Sequence, residues 1–169
     1  NFKCKWCSNP ESMPLFSDKA EDVPNDDVVK EIERSRMMFF DGGGVTFTGG
    51  EACVQAAELL ELLKLLKAEG INTAIETNGS YFALREIAEY IDYLIIDLKH
   101  FDEDEHFKWT SASNKATKDN IEYFLSQKRC VHIRIPIING VNTDAKGFAE
   151  YFSGFDTTNA VFEFLAYHE

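Results

Sequence analysis

Apolar residues in this chain follow two alternating patterns, a three-to-four-residue spacing and short, nearly unbroken runs. Residues 1–24 show neither: Asn9-Pro10, Pro14 and Pro24 break up any period, and the stretch reads as loop. From Asn25, a suitable helix cap, the spacing predicts a helix to about Phe39 with Val28, Val29, Ile32 and Met38 on its apolar side. Asp41-Gly42-Gly43-Gly44 ends it, and Val45-Thr46-Phe47-Thr48 predicts a short strand. The clearest helix runs from Cys53 to Glu69, where Leu59, Leu62, Leu63 and Leu66 form a stripe and Gly70 suits the position after the cap. A strand follows over Ile71 to Glu76, closed by Thr77-Asn78-Gly79, then a helix over about Phe82 to Tyr90. Tyr93 to Leu98 is almost continuously apolar, as in a parallel strand covered on both faces. Helices over about Lys115 to Gln127 and Asp144 to Phe152 alternate with strands over Val131 to Ile137 and about Val161 to Ala166.

Helix then strand, five times over, predicts an α/β fold with a parallel sheet and right-handed crossovers. The period alone leaves a barrel and a doubly wound sheet equally open. No linker or repeat divides residues 1–169, so one domain is expected; the chain begins without Met and stops directly after an apolar segment, as one truncated at both ends would. In either architecture functional groups gather where strands end. Those junctions carry Thr48-Gly49-Gly50-Glu51, Glu76-Thr77-Asn78-Gly79, Asp97-Leu98-Lys99, Arg134-Ile135-Pro136 and Tyr167-His168-Glu169.

With 169 residues, 44% of them hydrophobic, the chain can bury a full core. Its 29 acidic and 17 basic residues give a charge of −12, which argues against general nucleic-acid binding. Small anionic ligands held by a few buried cations remain compatible with that balance. No apolar run approaches the roughly 18 residues of a membrane span, and no export signal is visible. Four cysteines, with Cys4-x-x-Cys7 the sole close pair, do not make a disulfide scaffold, so the expected compartment is the cytoplasm.

The gap between Cys4 and Cys7 lets two thiolates reach one metal from a tight loop, and zinc and iron–sulfur fit equally well. Gly49 and Gly50 leave backbone carbonyls open to an ammonium group, although taken alone they read as a tight turn with a solvated Glu51. Asp97 and Lys99 share one face of their strand, as a structural ion pair or as ligands. His100 and His106, among Asp102, Glu103, Asp104 and Glu105, read as part of a solvated loop or partner surface. His132 shares a strand face with Arg134. Cys53 and Cys130 read as small hydrophobes.

Taken in order, these motifs resemble the activating enzymes of glycyl-radical enzymes, in the radical S-adenosylmethionine family. That family carries Cys-x3-Cys-x2-Cys; here Cys4 and Cys7 match its last two cysteines, and the first falls one position before Asn1. Ser8-Asn9-Pro10-Glu11-Ser12 is similar to the family's segment just after the cysteines. Gly43 to Ala52 resembles the glycine-rich second strand and turn, Glu76-Thr77-Asn78-Gly79 an Asp-Thr-Asn-Gly segment, and Asp97-Leu98-Lys99, Arg134 and Leu165 to Glu169 the later strand ends. The resemblance implies a partial parallel (β/α)6-type barrel lacking its first strand. It implies a 4Fe–4S cluster on Cys4 and Cys7, and S-adenosylmethionine held by Gly49, Gly50, Glu51, Glu76, Asn78, Lys99, Arg134 and His168. It further implies a monovalent cation at Glu76, Thr77 and Asp97. No side chain is expected to act as a catalytic acid or base: the cofactors would generate a 5′-deoxyadenosyl radical that takes hydrogen from a glycine of a partner glycyl-radical enzyme, such as a pyruvate formate-lyase. A flavodoxin- or ferredoxin-type protein would supply the electron. Without the first cysteine, this chain is expected to bind the cluster poorly and to be inactive by itself. Two rival readings are a radical enzyme acting on a small molecule and a non-catalytic α/β domain holding zinc.

Overall fold

The computed structural model describes residues 2–14 and 20–166. Five strands, β1 (Gly44–Phe47), β2 (Asn72–Thr77), β3 (Tyr93–Asp97), β4 (Val131–Ile137) and β5 (Ala160–Ala166), form one sheet. All neighbours are parallel, and the spatial order β1-β2-β3-β4-β5 is the order along the chain. That order decides between the two architectures. A doubly wound sheet reverses direction midway and has helices on both faces. Here every crossover steps the same way, so right-handed connections place all helices on one side. The result is an arc of a β/α barrel, concave on its helix-free face.

The register separates the faces. Ile75 lies beside Leu94 and Ile96 beside Ile133, all on the convex face. There α2 (Ala56–Ala68), α3 (Leu84–Ile87), α5 (Lys115–Ser126) and α6 (Ala145–Phe152) bury Leu59, Leu63, Leu84, Ile121, Phe124 and Phe148 against them. On the concave face Glu76 lies beside Ile95, Asp97 beside Arg134 and Arg134 beside Glu163. A one-residue slip in any strand would drive these charges into the helix layer.

Helix α2 ends as its sequence predicts. Ile71 N–H donates to Leu66 O at 3.0 Å and Gly70 N–H to Lys67 O at 3.1 Å, with Gly70 at φ +68°, a Schellman cap. Ile71 packs with Leu66, closing the motif by its usual apolar contact. Helix α1 (Asn25–Arg34) is shorter than its pattern suggests. Met38, expected on the buried stripe, is 73% exposed, because the chain leaves the helix at Ser35 for a 3-10 turn. Pro24, not Asn25, is the capping residue, and the Asn25 amide donates instead to Glu58 O at 3.1 Å.

The largest departure from expectation is α4 (Glu103–Thr110), where the acid-rich stretch reads as loop. Asp102 caps it, accepting Glu105 N–H at 2.9 Å, and Glu103, Asp104 and Glu105 occupy the first turn, where the helix dipole favours negative charge. His106, on the inner side, is 1% exposed and its Nδ1 donates to Ala112 O at 2.7 Å. His100 is also buried, and its Nδ1 accepts Asp102 N–H at 3.0 Å. Both are therefore core histidines, not solvated ones. Burial pushes both pKa values below the ordinary 6.5; Asp102 and Glu105 near His100, and the Ala112 carbonyl bonded to His106, offset only part of the effect. Protonation thus favours the unfolded chain: the stabilisation is complete above about pH 6.5 and is lost as pH falls below it. The melting temperature should accordingly drop between pH 7.5 and 5.5, ahead of carboxylate titration; a flat profile would contradict neutral, buried histidines. Cys53 is fully buried, as expected, whereas Cys130 lies exposed ahead of β4.

Candidate functional site

Because the strands are parallel, all five C-terminal ends open on one side of the sheet. The loop carrying Cys4 and Cys7 lies across them, and together they enclose a cavity of about 750 Å³. Cys4, Cys7, Gly49, Gly50, Glu51, Glu76, Thr77, Asn78, Asp97, Lys99 and Arg134 all line it. His168 lies outside the described residues.

Charge on the floor is organised around Arg134. Its Nη1 donates to Glu76 Oε1 at 2.7 Å, and its Nε stands 3.6 Å from Asp97 Oδ1 and 3.9 Å from Glu163 Oε2. Lys99 Nζ donates to Asp97 Oδ2 at 3.1 Å. Burial works against the charge on Lys99, yet Asp97 and the nearby cysteines outweigh it and hold its pKa above the ordinary value. The same balance, with Glu76 as the main partner, keeps Arg134 charged. Both atoms of the long Arg134–Asp97 contact, Nε and Oδ1, are buried without a hydrogen-bond partner. Orphaned polar atoms of opposite sign facing one cavity are what a polar ligand would satisfy. Among the lining residues four carboxylates, Glu11, Glu51, Glu76 and Asp97, face two cations, Lys99 and Arg134, so the cavity wall is net negative and suits a ligand that carries positive charge.

The glycine-rich turn is built for close approach. Gly49 sits at φ +134°, a region closed to other residues, and nothing would touch a Cβ there. A Cβ on Gly50 would lie 2.8 Å from Ser12 O, so that glycine lets the segment after the cysteines pack directly on the turn. Glu51 plays a different part from the one its position in the motif suggests. Its Oε1 accepts Cys53 N–H at 3.0 Å and Thr77 Oγ1–H at 2.6 Å, and its Oε2 accepts Asn78 N–H at 2.8 Å. The carboxylate welds the β1 turn to the end of β2.

The expected cation set is not brought together. Glu76 and Asp97 share the concave face with Arg134 between them, already compensating their charge. Thr77 touches the cavity at the strand end but is out of phase with Glu76 and Asp97 in the strand alternation; its hydroxyl donates to Glu51 and accepts Gly79 N–H at 3.0 Å. Among the described residues no group of three or more His, Cys, Asp or Glu converges tightly enough to hold a metal ion. Cys4 and Cys7 supply two soft thiol ligands on one tight turn, with Cys7 N–H 3.2 Å from Cys4 O. Burial raises the Cys4 pKa, and the ammonium of Lys99 works in the opposite direction. This pair fits two corners of an iron–sulfur cluster, and a third ligand would have to come from outside the described residues.

Three buried asparagines that the motifs do not include hold the rim in place. Asn142 Nδ2 donates to Lys99 O at 2.8 Å and to Pro136 O at 2.5 Å. Asn120 Nδ2 donates to Gly79 O and Tyr81 O, while Thr117 Oγ1 donates to Asn78 O. Asn114 Nδ2 reaches the carbonyls of His100, Phe101 and Asp102. Nothing in the sequence marks them, because their partners are main-chain carbonyls that only the fold brings near.

A family model for the radical SAM superfamily matches residues 1–152. The choline trimethylamine-lyase activating enzyme of Oleidesulfovibrio alaskensis is 38% identical over 133 residues, 74% of this chain but 42% of that protein. The pyruvate formate-lyase-activating enzyme of Staphylococcus epidermidis is 30% identical over 180 aligned positions, covering 99% of this chain and 71% of that protein. Among solved structures, a domain of pyruvate-formate lyase-activating enzyme from Bacteroides vulgatus superposes with a TM-score of 0.67 at 30% identity, over 76% of this chain and 83% of that one.

Proposed function

The chain belongs to the radical SAM superfamily and, within it, to the activating enzymes typified by those of pyruvate formate-lyase; from that premise we propose that it binds a 4Fe–4S cluster and S-adenosylmethionine and activates a partner glycyl-radical enzyme. Membership of this family leaves a zinc-holding, non-catalytic domain without support. The observation that carries the proposal is the convergence of two thiols, an open glycine turn and a paired set of charges on one cavity at the strand ends. When bound, the cluster and S-adenosylmethionine supply one-electron cleavage of the cofactor to methionine and a 5′-deoxyadenosyl radical, which takes hydrogen from a glycine.

The chain's own residues hold, orient and enclose. Cys4 and Cys7 would ligate the cluster, with the third ligand supplied from outside the described residues. The carbonyls of the Gly49-Gly50 turn would receive the cofactor's ammonium group. Lys99 and Arg134 would bind its carboxylate, a role the family resemblance also gives to His168, and Asp97 and Glu76 keep Lys99 and Arg134 charged and aimed. Glu51 and Asn78 act on the turn's geometry, since the Glu51 carboxylate is already spent on Cys53, Thr77 and Asn78. Phe2, Trp6 and Met13, on the cavity wall, exclude water from a reactive species. With no general base in the set, the rate depends on ligand geometry and on the electron supplied by a flavodoxin- or ferredoxin-type donor. The partner is a protein, not a small molecule, because the named relatives are activating enzymes.

The test is anaerobic reconstitution with iron and sulfide of the chain extended by a cysteine placed immediately before Asn1. A 4Fe–4S paramagnetic signal that changes on adding S-adenosylmethionine is the expected result. Uptake of zinc alone, or a cluster indifferent to the cofactor, would overturn the reading.

A further inference from the structure

The cysteine segment has no place in the sheet, yet its backbone is anchored. Phe2, Cys4 and Trp6 line the cavity while Lys3 and Lys5 lie on the exposed side, a strand-like alternation. Its hydrogen-bond partner is the last turn of α4: Lys3 N–H donates to Thr110 O at 2.7 Å and Lys5 N–H to Trp109 O at 3.1 Å. Those two carbonyls are among the final four of the helix, which have no partner within it. The helix stops abruptly there, with Ser111 in the left-handed region at φ +59°, so the carbonyls stay open to an incoming chain.

Side chains reinforce the backbone bonds at each step. The ring of Phe2 meets His106 edge-on at 5.2 Å between centroids, and Trp6 meets Trp109 at 6.4 Å. Lys5 Nζ lies 4.8 Å above the Trp109 ring. His106 itself cannot swing, since it is buried and bonded to Ala112 O. The base of α4 is fixed in turn by Asn114, whose amide ties His100, Phe101 and Asp102, the residues directly after Lys99.

We propose that the last turn of α4 is a docking cradle for the cysteine segment, with Trp109 and His106 as positioning residues that set where Cys4 and Cys7 stand relative to Lys99. The cradle is a property of this chain alone; its bearing on a cluster rests on the reading of Cys4 and Cys7 as ligands. It gives the acid-rich helix a purpose that no motif records: it mounts the thiols and the β3 end on one support.

The four cysteines supply the assay. The chain is treated with iodoacetamide in the absence of iron, under reducing anaerobic conditions, and each thiol is followed by mass spectrometry. Exposed Cys130 should react first, Cys4 and Cys7 more slowly, and buried Cys53 last, as a reporter of global unfolding. In Trp109→Ala, Cys4 and Cys7 should react at least about tenfold faster with Cys53 unchanged, the mark of local opening. Trp109→Phe keeps a ring beside Trp6 and under Lys5 and should stay near the wild-type rate. Cys4 and Cys7 reacting as fast as Cys130 in the wild type, or unmoved by Trp109→Ala, would overturn the cradle. Should Cys53 accelerate as well, the variant has unfolded, and hydrogen exchange in the wild type decides: slow Lys3 and Lys5 amides support the cradle and free-peptide rates refute it. A cradle that passes in a chain that takes up no iron once a cysteine is placed before Asn1 would leave the mount standing and sink the cluster.

Discussion

Replacing Glu51 by Ala should destabilise the protein by about 3 kcal/mol and loosen the turn meant for the cofactor. Hydrogen bonds to a charged acceptor are worth roughly 1.5–3 kcal/mol each, and removing the acceptor leaves its donors unpaired. Three donors depend on this carboxylate: Cys53 N–H, Thr77 Oγ1–H and Asn78 N–H. The sum is discounted because Glu51 is only half-buried and water can reach part of the vacancy. Thr77 and Asn78 are buried, so their loss dominates. Glu51→Gln keeps one accepting oxygen but turns an amide N–H toward a donor, so its effect should be about half as large. Urea unfolding followed by circular dichroism checks both, as a fall in midpoint with the slope unchanged. An unmoved midpoint in Glu51→Ala would mean that the carboxylate is solvated and free to meet a ligand. In the activity of the loaded enzyme, the same variant should raise the S-adenosylmethionine concentration needed for half-maximal rate, because Gly49 and Gly50 are carried on the residue it anchors.

How much of this was legible in the sequence depended on where each signal is stored. β4 runs over Val131–Ile137, as the apolar pattern predicts, because a strand buried on its convex face writes its period directly into the residues. The end of α2 was legible because Gly70 is required by its left-handed conformation. Strand order was not, since period says nothing about which neighbour a strand selects; resemblance to a family supplied the barrel, and the register now accounts for it. Helix α4 was missed although Asp102 and Glu105 stand at capping-box spacing. Four successive acids look like a solvated loop until they are read as the first turn of a helix, where charge complements the dipole. The residues lining the cavity were legible as strand ends, but their roles were not. Glu51 and Thr77 bond to each other across 26 positions of sequence, a partnership no local pattern encodes. Asn114, Asn120 and Asn142 were silent for the same reason.

The second large effect concerns Arg134, the one side chain among the described residues that reaches carboxylates on three other strands. From β4 it spans to Glu76 on β2, Asp97 on β3 and Glu163 on β5. Arg134→Leu would leave Glu76 and Asp97 with Lys99, which is bonded only to Asp97, and Glu163 with only His132 Nε2 at 3.2 Å. Breaking a fully buried pair by removing one partner costs roughly 3–5 kcal/mol. These side chains are 20% to 43% exposed, so water screens them and about 2 kcal/mol is the expected loss at low salt. Arg134→Lys should recover little of it, because a single ammonium on a flexible stem cannot reach Glu76 and Asp97 at once as the guanidinium fork does. The salt dependence separates this account from a simple packing defect. Raising ionic strength weakens the attraction in the wild type and relieves the repulsion in Arg134→Leu, so the stability gap between them should narrow as salt rises. A loss of packing around the arginine stem would leave the gap constant. Urea titrations of both proteins at about 0.05 M and 1 M salt, which carry the screening length from well above to below the 3.6 Å Arg134–Asp97 contact, distinguish the two. A narrowing gap would identify the arginine as the electrostatic hub that lets Asp97, Glu76 and Lys99 stand charged beside one cavity.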